Sequence, residues 1–158
     1  MQTNRRVHSV VVYDSQFGNT EAIAHVVAKA LDEFGPARAA HVTETAVTQL
    51  RNVDLLVFGC SSQPLNGSSP MRLFVERLPR EVIRAPKVAC FDTRLHMPGW
   101  LRRFPAQELA RRLRKLHVEP VAPPAGFYVK GREGPLQTGE VERAVEWARS
   151  IGQKATLP

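Results

Sequence analysis

The sequence predicts an α/β fold, a doubly wound parallel sheet with helices on both faces. Three observations predict it. Short, nearly continuous apolar runs recur at residues 7–13, 54–59 and 87–91, as in strands covered on both sides. Segments with apolar residues at helical spacing lie between and after them. Each run ends in a polar stretch bearing Gly, Ser, Asn or Pro. Strands alternating with helices of these lengths argue for parallel βαβ units. The 158 residues suffice for one domain, spanning 1–158, with no internal repeat or low-complexity tract.

The elements follow in order. Residues 7–13 form a strand, and residues 20–34 a helix with Ile23, Val27, Leu31 and Phe34 on one face. Gly35-Pro36 stops that helix. A second strand with a weaker apolar signal covers 37–42, and a short helix 46–51. The strand at 54–59 opens into a loop over 60–69, after which Pro70 suits the first turn of a helix reaching residue 78. A fourth strand at 87–91 runs into a long loop, 92–104, and then a basic helix over 106–116. The fifth strand is interrupted: 118–122 and 127–130 are both strand-like, separated by Pro123-Pro124 and Gly126. A last helix opens at Gly139-Glu140 and continues to 151, with Val141, Ala144, Val145 and Ala148 inward.

Composition narrows the function classes. Lys and Arg number 22 against 15 acidic residues, a net charge of +7, which favours anionic ligands or an acidic partner surface. The densest run, Arg111-Arg112-Leu113-Arg114-Lys115, lies opposite the face of Leu109, Leu113 and Leu116, so its cations read as a solvated helix face. No nucleic-acid motif or stacking-aromatic platform accompanies the charge, so nucleic acid is not an expected partner. No apolar run approaches the ~20 residues of a membrane span, and the first residues lack a signal-peptide pattern, so a cytoplasmic location is the expectation. Cys60 and Cys90 end apolar runs and read as small buried hydrophobes, with a redox pair as the alternative if their strands are neighbours. His25, His41 and His117 lack a motif-defined carboxylate partner, and no metal site or catalytic acid–base pair stands out.

The chemistry concentrates at residues 11–20, a strand that turns through a polar loop straight into a helix. Hydroxyls at Ser15 and Thr20 and the flexible Gly18 stand where a helix's unpaired N–H groups emerge, a natural anion site. The loop is neither a dinucleotide fingerprint nor a P-loop, and it has no P-loop lysine, so nucleotide hydrolysis is not expected. A single terminal phosphate held by hydroxyls and N–H groups, without a cation, fits better. Ligands of such sheets lie beyond the carboxyl ends of the strands. The loops 14–19, 60–69 and 92–104 all leave such ends, and two exceed the ~4–6 residues a connection needs.

The pattern Val11-Val12-Tyr13-x-Ser15-x-x-Gly18-x-Thr20-x-x-x-Ala24-x-x-Val27 resembles the flavodoxin signature. Val57-Phe58-Gly59-Cys60-Ser61-Ser62 resembles the strand entering that family's second flavin loop, and Val88-Ala89-Cys90-Phe91-Asp92-Thr93-Arg94 the third. The segment Phe127-Tyr128-Val129-x-Gly131-x-Glu133-Gly134-Pro135-Leu136 is similar to actinobacterial members of unassigned role. The resemblance implies a five-stranded sheet of order 2-1-3-4-5, FMN as cofactor and electron transfer as function. It implies that Ser15, Gln16, Phe17, Gly18, Asn19 and Thr20 hold the FMN phosphate. Ser61, Ser62, Gln63 and Pro64 would line one side of the ribityl chain and ring, and Asp92, Thr93, Arg94 and Leu95 the other.

Two departures qualify that expectation. The second loop has no aromatic residue from Cys60 to Ser69, leaving Trp100 either to stack on the flavin or to close its loop against the core. His96 reads as an exposed loop histidine. The family is commonly acidic, whereas this chain is basic and Arg94 falls in a flavin loop. A cation about 5 Å from the ring contributes roughly 3 kcal/mol at an effective dielectric near 20, which predicts a less negative reduction potential than is usual for the family. The partner is a redox protein with an acidic docking surface, or NAD(P)H or a quinone. Two other functions stay open: an FMN-dependent NAD(P)H or quinone reductase using Arg94, Arg102 and Arg103, and an interaction module that kept the fold but not tight FMN binding.

Overall fold

The computed structural model describes residues 5–61, 69–101 and 104–158. Strands β1 (Ser9–Tyr13), β2 (Ala37–His41), β3 (Leu55–Cys60), β4 (Lys87–Arg94) and β5 (Ala125–Tyr128) form one parallel sheet in the order β2-β1-β3-β4-β5. Helices α1 (Asn19–Leu31), α2 (Pro70–Arg77), α3 (Arg80–Arg84), α4 (Pro105–Lys115) and α5 (Glu140–Thr156) cover both faces. Because β2 and β3 flank β1 on opposite sides, the strand order switches at β1, and the loop leaving β1 opens into the resulting crevice.

The strand side chains alternate between two cores. Val10, Val12, Leu56, Phe58, Val88 and Cys90 face α2, α3 and α4, where Met71, Val75, Ile83, Leu109 and Leu113 meet them. Val11, Leu55, Val57, Ala89, Phe91 and Phe127 face α1 and α5, against Ile23, Val27, Leu31, Ala144 and Ala148. The buried sides of α1 and α4 are the apolar stripes read from the sequence, and the exposed side of α4 carries its cations in ion pairs such as Arg112–Glu76 and Arg114–Glu119. Ser69 caps α2, its hydroxyl accepting from Arg72 N–H at 3.5 Å, with Pro70 in the first turn.

Several expectations are corrected. β4 does not stop at Phe91 but runs to Arg94, so Asp92, Thr93 and Arg94 are sheet residues rather than loop residues. The segment 118–122 is not a strand; its Val121 N–H bonds Val88 carbonyl at 2.8 Å and the sheet resumes at Ala125 past the two prolines. The short helix expected at 46–51 is a 3-10 turn over Val47–Leu50. In α5, Val141 is exposed, and Trp147 turns inward instead, edge-on to Phe91 and Phe127 at 5.8 and 6.0 Å. The cysteines sit on neighbouring strands but out of step, since Cys90 pairs in register with Phe58 and Cys60 with Asp92. Both are free and buried, and burial pushes both thiols well above their ordinary pKa, so neither is a reactive thiolate.

Candidate functional site

β1 delivers the chain to Asp14, whose N–H donates to Gly59 carbonyl at 3.0 Å. The loop therefore leaves the sheet level with the end of β3. Ser15 Oγ accepts from Gly18 N–H at 3.1 Å, closing a tight turn. Gly18 has φ 87°, a left-handed conformation that a side chain disfavours, and from there the backbone enters α1. No side chain caps α1, and its first intrahelical bond here runs from Ala22 N–H to Gly18 carbonyl. The N–H groups of Asn19, Thr20 and Glu21 precede that bond, leaving donors at the positive end of a 13-residue helix.

Thr20 is 2% exposed, and its hydroxyl lies 2.7 Å from that of Thr93 at the end of β4. Two hydroxyls sharing one hydrogen bond keep one O–H proton to offer elsewhere. Gln16, Phe17, Asn19 and Thr20 line one side of a shallow, solvent-open cleft, and Ser61 and Thr93 line the floor strands. Val129 and Arg132, from the segment after β5, complete it. Hydroxyls, helix-start N–H groups and a guanidinium, with no carboxylate among the described lining residues, form a donor set that fits a phosphate. Burial pushes the carboxyl of neighbouring Asp14 upward, opposed by His41.

The end of β4 divides its work by alternation. Thr93 points with Phe91 toward α1 and the cleft, while Asp92 and Arg94 share the opposite face. Arg94 holds Asp92 bidentately, Nε to Oδ1 at 2.6 Å and a terminal nitrogen to Oδ2 at 2.9 Å. Asp92 Oδ2 also accepts from Ala106 N–H at 3.1 Å, in the first turn of α4, and the guanidinium lies 3.6 Å over the Phe104 ring. Burial pushes the Asp92 carboxyl up, against the pull of Arg94 and of the Ala106 N–H. Arg94 is therefore a paired structural cation, not the free charge beside a ligand that the sequence suggested, and the potential shift assigned to it loses its source.

The flavodoxin family model matches residues 11–95, which contain the cradle and the strands that flank it. The chain belongs to the flavodoxin family. Flavodoxins bind FMN and carry electrons to redox partner proteins. A flavodoxin from Clostridium beijerinckii is 33% identical over 98 residues, 60% of this chain and 70% of its own length. Among solved structures, a flavodoxin from the domain Archaea superposes with a TM-score of 0.78 at 16% identity, covering 96% of this chain and all of its own. Flavodoxin 2 of Bacillus cereus gives 0.74 at 20% identity, covering 94% of this chain and 99% of its own. The flavodiiron protein of Giardia intestinalis gives 0.71 at 13% identity, with the likeness confined to 36% of that longer chain.

In this flavodoxin the positions expected to hold FMN fall into three groups. Ser15 to Thr20, Ser61 and Thr93 come together at the cleft and its rim. Asp92 and Arg94 face away from it, and Leu95 is half-buried beyond the strand. Ser62, Gln63 and Pro64, like Arg102 and Arg103, lie outside the described residues. Trp100 is 83% exposed and does not close its loop against the core. His96 is exposed at one edge but stacked on Tyr128, ring centroids 3.8 Å apart and planes 2° from parallel. Val129 and Arg132 were not singled out by sequence reasoning. The turn signals Gly131 and Gly134-Pro135 announce a hairpin, but nothing local says that it folds back over the first loop. Among the described residues no helix is long and apolar enough to cross a membrane.

Proposed function

We propose that the chain holds FMN with its phosphate on the 15–20 loop and works as an electron carrier between protein partners. The observation that carries this reading is the start of α1, where three N–H groups stand free of intrahelical bonds behind a left-handed Gly18 and beside the buried Thr20–Thr93 hydroxyl pair. The flavin supplies the one-electron chemistry, and the protein supplies binding, orientation and electrostatics. Ser15 shapes the loop, Asn19 and Thr20 offer backbone donors, and Ser61 and Thr93 offer hydroxyls from the strand ends. Phe17 at the cleft, and His96 and Trp100 on the segment after β4, are exposed aromatic side chains available to the ring. The net charge of +7 favours a partner with an acidic docking face.

The test is the visible spectrum of the purified protein with and without added FMN. Binding at micromolar FMN, with reduction by a protein donor but no bleaching by NADPH alone, supports the carrier. Bleaching by NADPH alone reassigns the chain to a reductase, and failure to bind FMN removes both redox readings.

A further inference from the structure

The cleft contains a cation that the first loop does not supply. Among the described residues lining it, Arg132 is the one charged side chain, with its guanidinium carbon 6.0 Å from the Phe17 ring centroid. It sits at the tip of a small hairpin that is fixed at several points. Val129 and Leu136 pair antiparallel, Lys130 N–H donates to Pro135 carbonyl at 2.8 Å, and Gly134 N–H donates to Gly131 carbonyl at 2.9 Å. At its base, Val129 N–H donates to Arg94 carbonyl at 2.9 Å, tying the hairpin to β4. At its return, Gly134 lies so close to the first loop that a Cβ there would stand 2.5 Å from Asn19 Oδ1. The hairpin is packed onto the cradle, and Arg132 belongs to the cleft by construction.

Arg132 forms no ion pair among the described residues, whereas Arg94, Arg112, Arg114, Arg143 and Arg149 each hold a carboxylate. A phosphate monoester carries about −1.5 to −2 charges at neutral pH. Hydroxyls and N–H groups alone leave that charge without a counter-charge, whereas a guanidinium offers both charge and paired donors. We propose that Arg132 is a specificity-determining residue that makes the cradle select a phosphorylated flavin over its unphosphorylated form. The inference rests on the FMN reading above. It replaces the cation-free cradle expected from the sequence with a charge-compensated one, supplied from outside the segment that the family model matches.

The experiment is titration of the full chain with FMN and with riboflavin, read by quenching of flavin fluorescence, at low and high salt. Arg132→Gln is expected to weaken FMN binding on the order of tenfold to a hundredfold, the worth of a charge-assisted hydrogen bond, and to leave riboflavin within about twofold. The salt dependence of FMN binding is expected to shrink in the same variant, because less charge is neutralised. Arg132→Lys, which keeps the charge but not the paired donors, is expected to fall between. An unchanged FMN-to-riboflavin ratio and salt slope in Arg132→Gln overturns the inference while leaving FMN binding intact. Failure of the unmodified protein to bind either flavin overturns the FMN reading and this inference with it. Since Arg132 is exposed, loss of fold is not the expected route to lost binding, and an unchanged thermal transition verifies that.

Discussion

Replacing Arg94 with methionine strips a buried carboxylate of its partner while keeping much of the side chain's bulk. Asp92 is 0% exposed and Arg94 9%, and the two bonds between them measure 2.6 and 2.9 Å. After Arg94→Met, Asp92 retains only the Ala106 N–H at 3.1 Å among the bonds described here. Breaking a buried pair from one side costs about 3–5 kcal/mol, because the remaining charge is neither solvated nor compensated. For a chain of this size that corresponds to a fall in Tm on the order of 6–20 °C. The sign of its pH dependence follows from Asp92. Burial already pushes this carboxyl up, and losing the guanidinium raises it further. A carboxyl whose folded pKa lies above its unfolded value of about 3.9 favours the folded state when protonated, so stability falls as pH rises from that value through the folded pKa. The deficit of Arg94→Met is therefore expected to be largest at neutral pH and to narrow toward pH 4. Urea denaturation followed by far-UV circular dichroism measures it, and Asp92→Leu/Arg94→Met is expected to recover much of the loss. A deficit below about 1 kcal/mol at pH 7, or a double variant as damaged as the sum of its singles, would refute the assignment of this pair as a mutually neutralised support for α4.

Other perturbations probe the cradle and its surroundings. Thr20→Val removes one member of the hydroxyl pair and leaves the buried Thr93 hydroxyl short of its partner, expected to cost about 1–3 kcal/mol in denaturant titration and to weaken FMN binding. Gly18→Ala is expected to cost about 1–2 kcal/mol through φ 87° alone, since a Cβ there meets nothing within 4 Å, and FMN titration should show the helix-start donors misplaced. Trp100→Ala is expected to change unfolding free energy by no more than about 0.5 kcal/mol, as its exposure implies, so any larger effect on flavin or partner binding is functional. Glu140 accepts from Tyr128 N–H and is held below the usual carboxylate range by Arg143, against its burial. Its contribution is present above the unfolded pKa and lost as pH falls through the folded one, so the stability gap between the unmodified protein and Glu140→Gln should be full at pH 7 and close only below the unfolded value of about 4.3.

What the sequence disclosed follows from where chemistry and periodicity agree. The inner strands are legible because both faces are buried, so Val10 to Val12 and Leu55 to Phe58 read as unbroken apolar runs. The first loop is legible because Gly18 and its hydroxyl neighbours mark a helix start. The end of β4 is not, because Asp92 and Arg94 look like loop residues until each is seen to neutralise the other inside the fold. Val141 misses its expected inward place while Trp147, which periodicity left unassigned, packs edge-on to Phe91 and Phe127, a choice made by tertiary packing. Arg132 is invisible for a related reason. Its role depends on a contact between Gly134 and Asn19, more than a hundred residues apart in sequence.

The alternation at the end of β4 also bears on how this chain can change. Adjacent residues there serve unrelated ends, Thr93 touching the cleft and its two neighbours anchoring a helix on the far side of the sheet. Selection can therefore vary residue 93 to alter what the cleft holds without disturbing the anchor, and the anchor can be rebuilt without touching the cleft. A single-residue insertion or deletion in this strand has no such freedom. It would exchange the two sides at once, presenting a charged pair to the cleft and a lone hydroxyl to α4. Point substitution is open to this strand as a route of divergence, and changes in its length are not.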